Sequence, residues 1–127
     1  MQLSFEDRTY LVTGGGSGIG KGVAAALVAS GANVMLMGRN ADRLAAAADE
    51  IKAAGSGEVN HEAADITDED AVARVVAAVI AWRGKLDGVL HSAGGSHTIG
   101  PITQIDSELW RSTVDLNING TMYVLKH

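Results

Sequence analysis

The chain of 127 residues contains no cysteine. That excludes disulfides, thiolate zinc sites and cysteine nucleophiles. Histidines stand at 61, 91, 97 and 127, with no pair at metal-ligand spacing on one helix, so no metal site is expected. No apolar run approaches the roughly 18 residues of a membrane span. The N-terminus, Met1 to Asp7, carries acids and lacks a signal-peptide pattern. Positive charge is also scarce: ten Lys and Arg against fifteen Asp and Glu leave a formal charge of −5. A general nucleic-acid surface, which needs a basic face, is not expected. Proline occurs once, at Pro101. These absences predict a cytoplasmic protein that binds neither membrane nor nucleic acid. A composition of 46% hydrophobic and 20% charged residues predicts a folded core rather than disorder.

Glycine, in contrast, is abundant, and its placement is informative. Thr13-Gly14-Gly15-Gly16-Ser17-Gly18-Ile19-Gly20 follows the apolar run Tyr10-Leu11-Val12 and opens a helical pattern. Glycines lack a Cβ, so the backbone can turn tightly and approach a ligand closely. The following helix offers unpaired N–H groups and a positive dipole end to an anion. A strand, a glycine turn and a helix in that order make a phosphate cradle.

Beyond the cradle, strand-length apolar runs alternate with helical patterns. Strands are expected at about 9–13, 33–37, 58–64 and 87–92. Helices are expected at about 18–29, ending at Ser30-Gly31, at 41–54 behind an Asn40 cap, and from Thr67-Asp68-Glu69-Asp70 to Arg83, where Gly84 stops the helix. Residues 94–105, which include Pro101, read as a loop. A long helical pattern then runs from about 106 towards the end. This βαβαβαβα alternation predicts an α/β fold with a doubly wound parallel sheet, strand order 3-2-1-4, and a ligand beyond the carboxyl ends of strands one and four. No repeat, linker or second domain is evident.

Two nucleotide cradles compete. Gly15 to Lys21 satisfies a P-loop, G-x-x-x-x-G-K-[ST], except that Gly22 replaces the magnesium-binding hydroxyl residue, which disfavours phosphoryl transfer. The fourth strand also ends in His91-Ser92 rather than an acid. A dinucleotide site instead needs a ribose partner about 20 residues past the glycines. An acid there would repel a 2′-phosphate, but this chain has Gly38 followed by Arg39. A guanidinium matches a phosphate monoester in charge and geometry, so Arg39 predicts NADP over NAD. A solvated loop arginine is the bland alternative. Asp65 could accept from the adenine amino group, with Ile66 against the ring, or could simply start the next turn.

The sequence resembles the classical short-chain dehydrogenase/reductase family. The pattern Thr-Gly-x-x-x-Gly-x-Gly is matched by Thr13, Gly14, Gly18 and Gly20. Asp65 matches the family's adenine-contact aspartate. His91-Ser92-Ala93-Gly94 stands where the family has Asn-Asn-Ala-Gly, and Asp115-Leu116-Asn117-Ile118-Asn119-Gly120 resembles its helix motif, which places a catalytic role on Asn117. The resemblance implies cofactor contacts from Thr13, Gly14, Gly16, Ser17, Gly18, Ile19, Gly20, Arg39, Asp65, Ile66 and the backbone of Ser92, Ala93 and Gly94. It implies acid–base catalysis beside a hydride carried by the cofactor, on a small-molecule carbonyl or alcohol, in a homodimer or homotetramer. Asn117 would hold a water in the proton relay; otherwise it is a helix-bending residue bonded to main chain. His91 departs from the family and reads as a satisfied core histidine.

The family's catalytic serine and Tyr-x-x-x-Lys lie beyond Asn117. Tyr123 and Lys126 have the wrong spacing and are not assigned that role. Residues 1–127 are therefore expected to be the N-terminal, dinucleotide-binding part of one longer Rossmann-like domain. Strand four would then be an edge awaiting a partner, and the piece alone would not turn over. A non-catalytic NADP-binding module and, less in keeping with Gly22, a P-loop hydrolase remain as alternatives.

Overall fold

The computed structural model describes residues 3–127. Its elements are β1 (Thr9–Thr13), α1 (Gly18–Ala29), β2 (Asn33–Gly38), α2 (Ala41–Lys52), β3 (Val59–Ala63), α3 (Glu69–Arg83) and β4 (Gly88–His91). A short 3₁₀ turn (Ile102–Gln104) precedes α4 (Ser107–Val114), a π-helical turn (Asp115–Asn119) and α5 (Gly120–Lys126). The four strands are parallel in the order β3-β2-β1-β4, as the alternation predicts.

Strand periodicity explains how the sheet is covered on both faces. Successive side chains point to opposite sides. Val12, Val34 and Leu36 join Ala24 and Val28 of α1 and Leu44, Ala48 and Ile51 of α2 in one core cluster. Leu11, Met35 and Met37 join Val72, Val75 and Val79 of α3, with Leu116 and Val124, in the other. Register pairs Leu11 with Met35 and Val12 with Leu36, so each cluster is continuous across the sheet. Both faces being apolar is why these strands read as unbroken hydrophobic runs.

Helix ends follow the capping signals, with one correction. The Asn40 side chain accepts from Arg43 N–H at 2.9 Å, and Gly84 adopts φ 78°, a left-handed stop for α3. The cap of α3 is Asp68, whose carboxylate accepts from Ala71 N–H at 3.1 Å. Thr67 instead belongs to the preceding turn, where its N–H and hydroxyl both donate to Asp65.

The last helical pattern is not one continuous α-helix. Its middle turn widens at Asp115–Asn119, where Gly120 N–H reaches back to the Asp115 carbonyl. The cause is one side chain: Asn117 directs its amide to the Thr113 carbonyl within the helix and to the distant Gly95 outside it. A side chain engaging main-chain groups in this way competes with the α-helical ladder. Among the described residues, β4 pairs on one side only, with β1. No described helix is long and apolar enough to cross a membrane.

Candidate functional site

A groove runs across the carboxyl ends of all four strands. One part, of about 380 Å³, is lined by Gly14, Ser17 and Ile19 after β1, Met37, Gly38 and Arg39 at the end of β2, Ala64, Asp65 and Ile66 after β3, and Ser92, Ala93 and Gly94 after β4, with Leu116 behind. An adjoining part, of about 520 Å³, adds Gly16, Asn40, Arg43 and Leu44. Gly14, Ser17, Gly38 and Arg39 border both. This is the topological switch point, where helices leave the sheet in opposite directions and a crevice opens.

The glycine turn has separable parts. Gly14 (φ +66°) and Gly18 (φ +56°) occupy the left-handed region that disfavours side chains. A Cβ on Gly14 would stand 3.0 Å from Ala93 N, so the turn and the segment after β4 nearly touch. Around Gly18 there is open space, leaving its backbone accessible. Gly20 is buried and does not line the groove; a Cβ there would run into the Gly14 carbonyl. Its part is close packing of α1 under the turn. At the N-cap of α1 the Ser17 side chain makes no capping bond, and the first turn holds no acid. The donor end of α1 therefore meets the groove without a competing carboxylate, which fits a phosphate.

Thr13 lies beneath the groove rather than along it. It is completely buried, and its hydroxyl oxygen receives Ser92 N–H at 3.1 Å and Ala93 N–H at 3.2 Å. It holds the groove wall and does not itself line the groove. Ile19, in contrast, projects at the lip, 78% exposed.

Asp65 both builds the turn after β3 and borders the groove. One carboxylate oxygen receives Thr67 N–H at 2.9 Å and the Thr67 hydroxyl at 2.8 Å, building the turn. The residue also lines the groove. Burial raises its pKa, but the Thr67 N–H, the Thr67 hydroxyl and the Arg39 charge together outweigh burial and hold it below the ordinary carboxylate value. Ile66 borders the groove but is only 5% exposed, because its side chain packs against Gly120 and within the Leu116 cluster. Little of it is open to a ring.

Asn117 lies beside the groove wall. Its Nδ2 donates to the Gly95 carbonyl at 2.6 Å and to the Thr113 carbonyl at 2.8 Å, while its Oδ1 accepts from Gly95 N–H at 3.2 Å. This is the main-chain bonding of a helix-bending residue. His91, half-buried, bonds Thr13 and Thr121, and burial holds its pKa below the usual value. It is a satisfied histidine.

The lining residues Met37, Ala64, Leu116, Asn40 and Arg43 were not expected at the site. Leu116 and Arg43 are placed there by helix geometry: Leu116 precedes Asn117 on the wide turn, and Arg43 is on the first turn behind the Asn40 cap. Lys21, the lysine a P-loop would need at its phosphates, is instead ion-paired with Glu50 of α2 at 2.5 Å and does not line the groove.

Comparison with known proteins gives the family of the chain. Residues 8–127 match the short chain dehydrogenase family, and the chain belongs to that family. It is 36% identical over 120 residues to a 2,5-dichloro-2,5-cyclohexadiene-1,4-diol dehydrogenase of Sphingobium indicum, covering 94% of this chain and 46% of that protein. It is 36% identical over 119 residues to a 2-dehydro-3-deoxy-L-rhamnonate dehydrogenase (NAD(+)) of Sphingomonas sp., covering 94% of this chain and 46% of that protein. A short-chain type dehydrogenase/reductase from Mycobacterium ulcerans superposes with a TM-score of 0.96 at 68% identity, over 98% of this chain and 46% of that one. The chain thus spans about half the length of the curated relatives it matches. The family consists of oxidoreductases that use NAD(P)(H).

Proposed function

We propose that the full protein is an NADP(H)-dependent oxidoreductase that moves hydride between the cofactor and a small carbonyl or alcohol substrate, and that residues 1–127 form its cofactor-binding part. The observation that carries the cofactor choice is Arg39, exposed directly after β2 and bordering both parts of the groove, with Gly38 where an acid would select NAD. A 2′-phosphate monoester there would meet a permanent fork-shaped cation. The Sphingomonas relative is named for NAD(+), so relatedness alone does not choose between the two cofactors.

When bound, the dinucleotide supplies the hydride. This chain's residues bind and orient. The N-terminal amides of α1, with Gly14, Gly16, Ser17, Gly18 and Ile19, take the pyrophosphate. Asp65 accepts from the adenine amino group, and Ile66 offers an apolar edge beside it. The backbone of Ser92, Ala93 and Gly94, which lines the groove, would contact the dinucleotide. Thr13 and Gly20 shape the cradle from below. Asn117 serves the proton relay from the wide turn, where it fixes Gly95 against the helix. The exposed apolar side chains Leu109, Trp110, Ile118 and Met122 favour a homodimer or homotetramer built on the α4–α5 face.

Calorimetric titration of the full-length protein with NADPH and NADH tests the reading. Tighter NADPH binding supports it, and preference for NADH or for magnesium-ATP overturns it. Tight NADPH binding without turnover of any carbonyl or alcohol would instead identify a non-catalytic NADP-binding module.

A further inference from the structure

A chain of hydrogen bonds links the groove wall to the Asn117 turn through His91. Thr13 Oγ1 lies 2.8 Å from His91 Nδ1, His91 Nε2 lies 2.9 Å from Thr121 Oγ1, and Thr121 Oγ1 donates to the Asn117 carbonyl at 2.6 Å. The two ends set the direction of every proton. Ser92 and Ala93 N–H groups can only donate, and both fall on Thr13 Oγ1. A hydroxyl has two acceptor sites and one proton, so Thr13 must give its proton to His91 Nδ1. At the other end a carbonyl can only accept, so the Thr121 proton goes to Asn117, and Thr121 Oγ1 is left to accept from Nε2–H. Only the neutral Nε2–H tautomer of His91 satisfies the whole chain.

We propose that His91 is a positioning residue, a neutral imidazole strut that ties the Ser92–Ala93 wall of the groove, through Thr13, to the wide turn carrying Asn117, through Thr121. A proton added at Nδ1 would face a Thr13 oxygen whose acceptor sites are already filled. One of the Ser92 or Ala93 N–H bonds must then break, and the segment lining the groove is released. Among the described residues, the ring nitrogens bond only to the hydroxyls of Thr13 on β1 and Thr121 on α5, and burial is the cause of the depressed pKa, with no described carboxylate or cation contributing. The neutral form therefore persists through neutral pH and gives way on acidification.

Three readouts on the full-length protein test this. Nitrogen-15 NMR of the imidazoles should show His91 as the Nε2–H tautomer at neutral pH; an Nδ1–H tautomer or an imidazolium there overturns the proposal. Amide exchange at Ser92 and Ala93, corrected for its intrinsic pH dependence, should quicken about fivefold or more as His91 is protonated, the loss expected for one net hydrogen bond. His91→Asn keeps an acceptor near the Nδ1 position but cannot be protonated, so its exchange should lack that acid step. An identical acid step in H91N overturns the proposal. The ratio of wild-type to H91N NADPH affinity should fall about fivefold across the same pH interval, and a constant ratio overturns the link to the groove. The first two readouts need no cofactor, so they remain decisive even if the NADP assignment fails.

Discussion

Asn117 and Gly95 exchange hydrogen bonds in both directions: Nδ2 donates to the Gly95 carbonyl at 2.6 Å, and Gly95 N–H donates to Oδ1 at 3.2 Å. A third bond, to the Thr113 carbonyl, anchors the same amide within the helix. A Cβ on Gly94 would stand 2.8 Å from Oδ1, so the loop after β4 is pressed directly against this side chain. Replacing Asn117 with alanine removes all three bonds while leaving the phosphate end of the groove intact. In the full-length protein, Asn117→Ala should lower kcat by at least about tenfold, given a net value near 1 kcal/mol per bond, with NADPH affinity changed far less. A normal turnover rate would remove Asn117 from the reaction.

The glycine turn makes a second, independent prediction. A Cβ on Gly20 would lie 2.9 Å from the Gly14 carbonyl carbon and closer still to its oxygen, a backbone group that cannot move aside. Gly20→Ala should therefore destabilise the protein by about 1–3 kcal/mol or more. Gly22, one turn into the exposed side of α1, meets nothing within 4 Å. Gly22→Ala should stabilise by about 0.5–1 kcal/mol through helix propensity alone. Thermal unfolding of the two variants should shift in opposite directions.

What the sequence made legible was whatever depends on local pattern. β1 and α1 fall on their expected bounds because the apolar run, the glycines and the Ser30-Gly31 stop are contiguous. Strand order followed from alternation and the position of the cradle. What stayed hidden depends on contacts between segments far apart. The wide turn at Asp115–Asn119 arises from an Asn117 bond to Gly95, 22 residues away. Thr13 matches the glycine motif, yet its place beneath the groove depends on pairing with His91 of β4, 78 residues on. Asp65 supported two readings in sequence because one oxygen builds the turn while the residue also lines the groove.

Asp65 gives a pH signature. Burial opposes its charge, but the Thr67 N–H, the Thr67 hydroxyl and Arg39 prevail, and its folded pKa is depressed. A depressed carboxylate stabilises the fold above its unfolded pKa, roughly 4, and that contribution disappears as pH falls through the folded value. Asp65→Asn should be less stable than wild type at neutral pH, with the two stabilities converging in acid. Chemical denaturation at a series of pH values measures this; a constant difference down to the acid limb would show that the Asp65 charge contributes nothing.

The Lys21–Glu50 pair separates the dinucleotide reading from the P-loop one. Lys21 Nζ is 2.5 Å from Glu50 and outside the groove lining. Lys21→Met should therefore leave NADPH affinity within about twofold, because a partly exposed ion pair is worth little. In a P-loop the same change would strip a cation from the phosphates. A large loss of nucleotide affinity in this variant would place Lys21 at the ligand.

Arg39 tests cofactor choice most directly. It is exposed, borders both parts of the groove, and follows a glycine rather than an acid. Loss of a charge-assisted contact to phosphate costs about 1.5–3 kcal/mol, which is roughly ten- to a hundredfold in affinity. Arg39→Asp also adds a carboxylate that repels the 2′-phosphate and can accept from ribose hydroxyls. The variant should therefore lose NADPH affinity by at least about tenfold and gain NADH affinity, reversing the preference. Arg39→Met removes the cation without adding the acid, and should weaken NADPH while leaving NADH nearly unchanged. Equal effects on both cofactors in both variants would mean that Arg39 acts on the fold of the β2 end rather than on the 2′-phosphate.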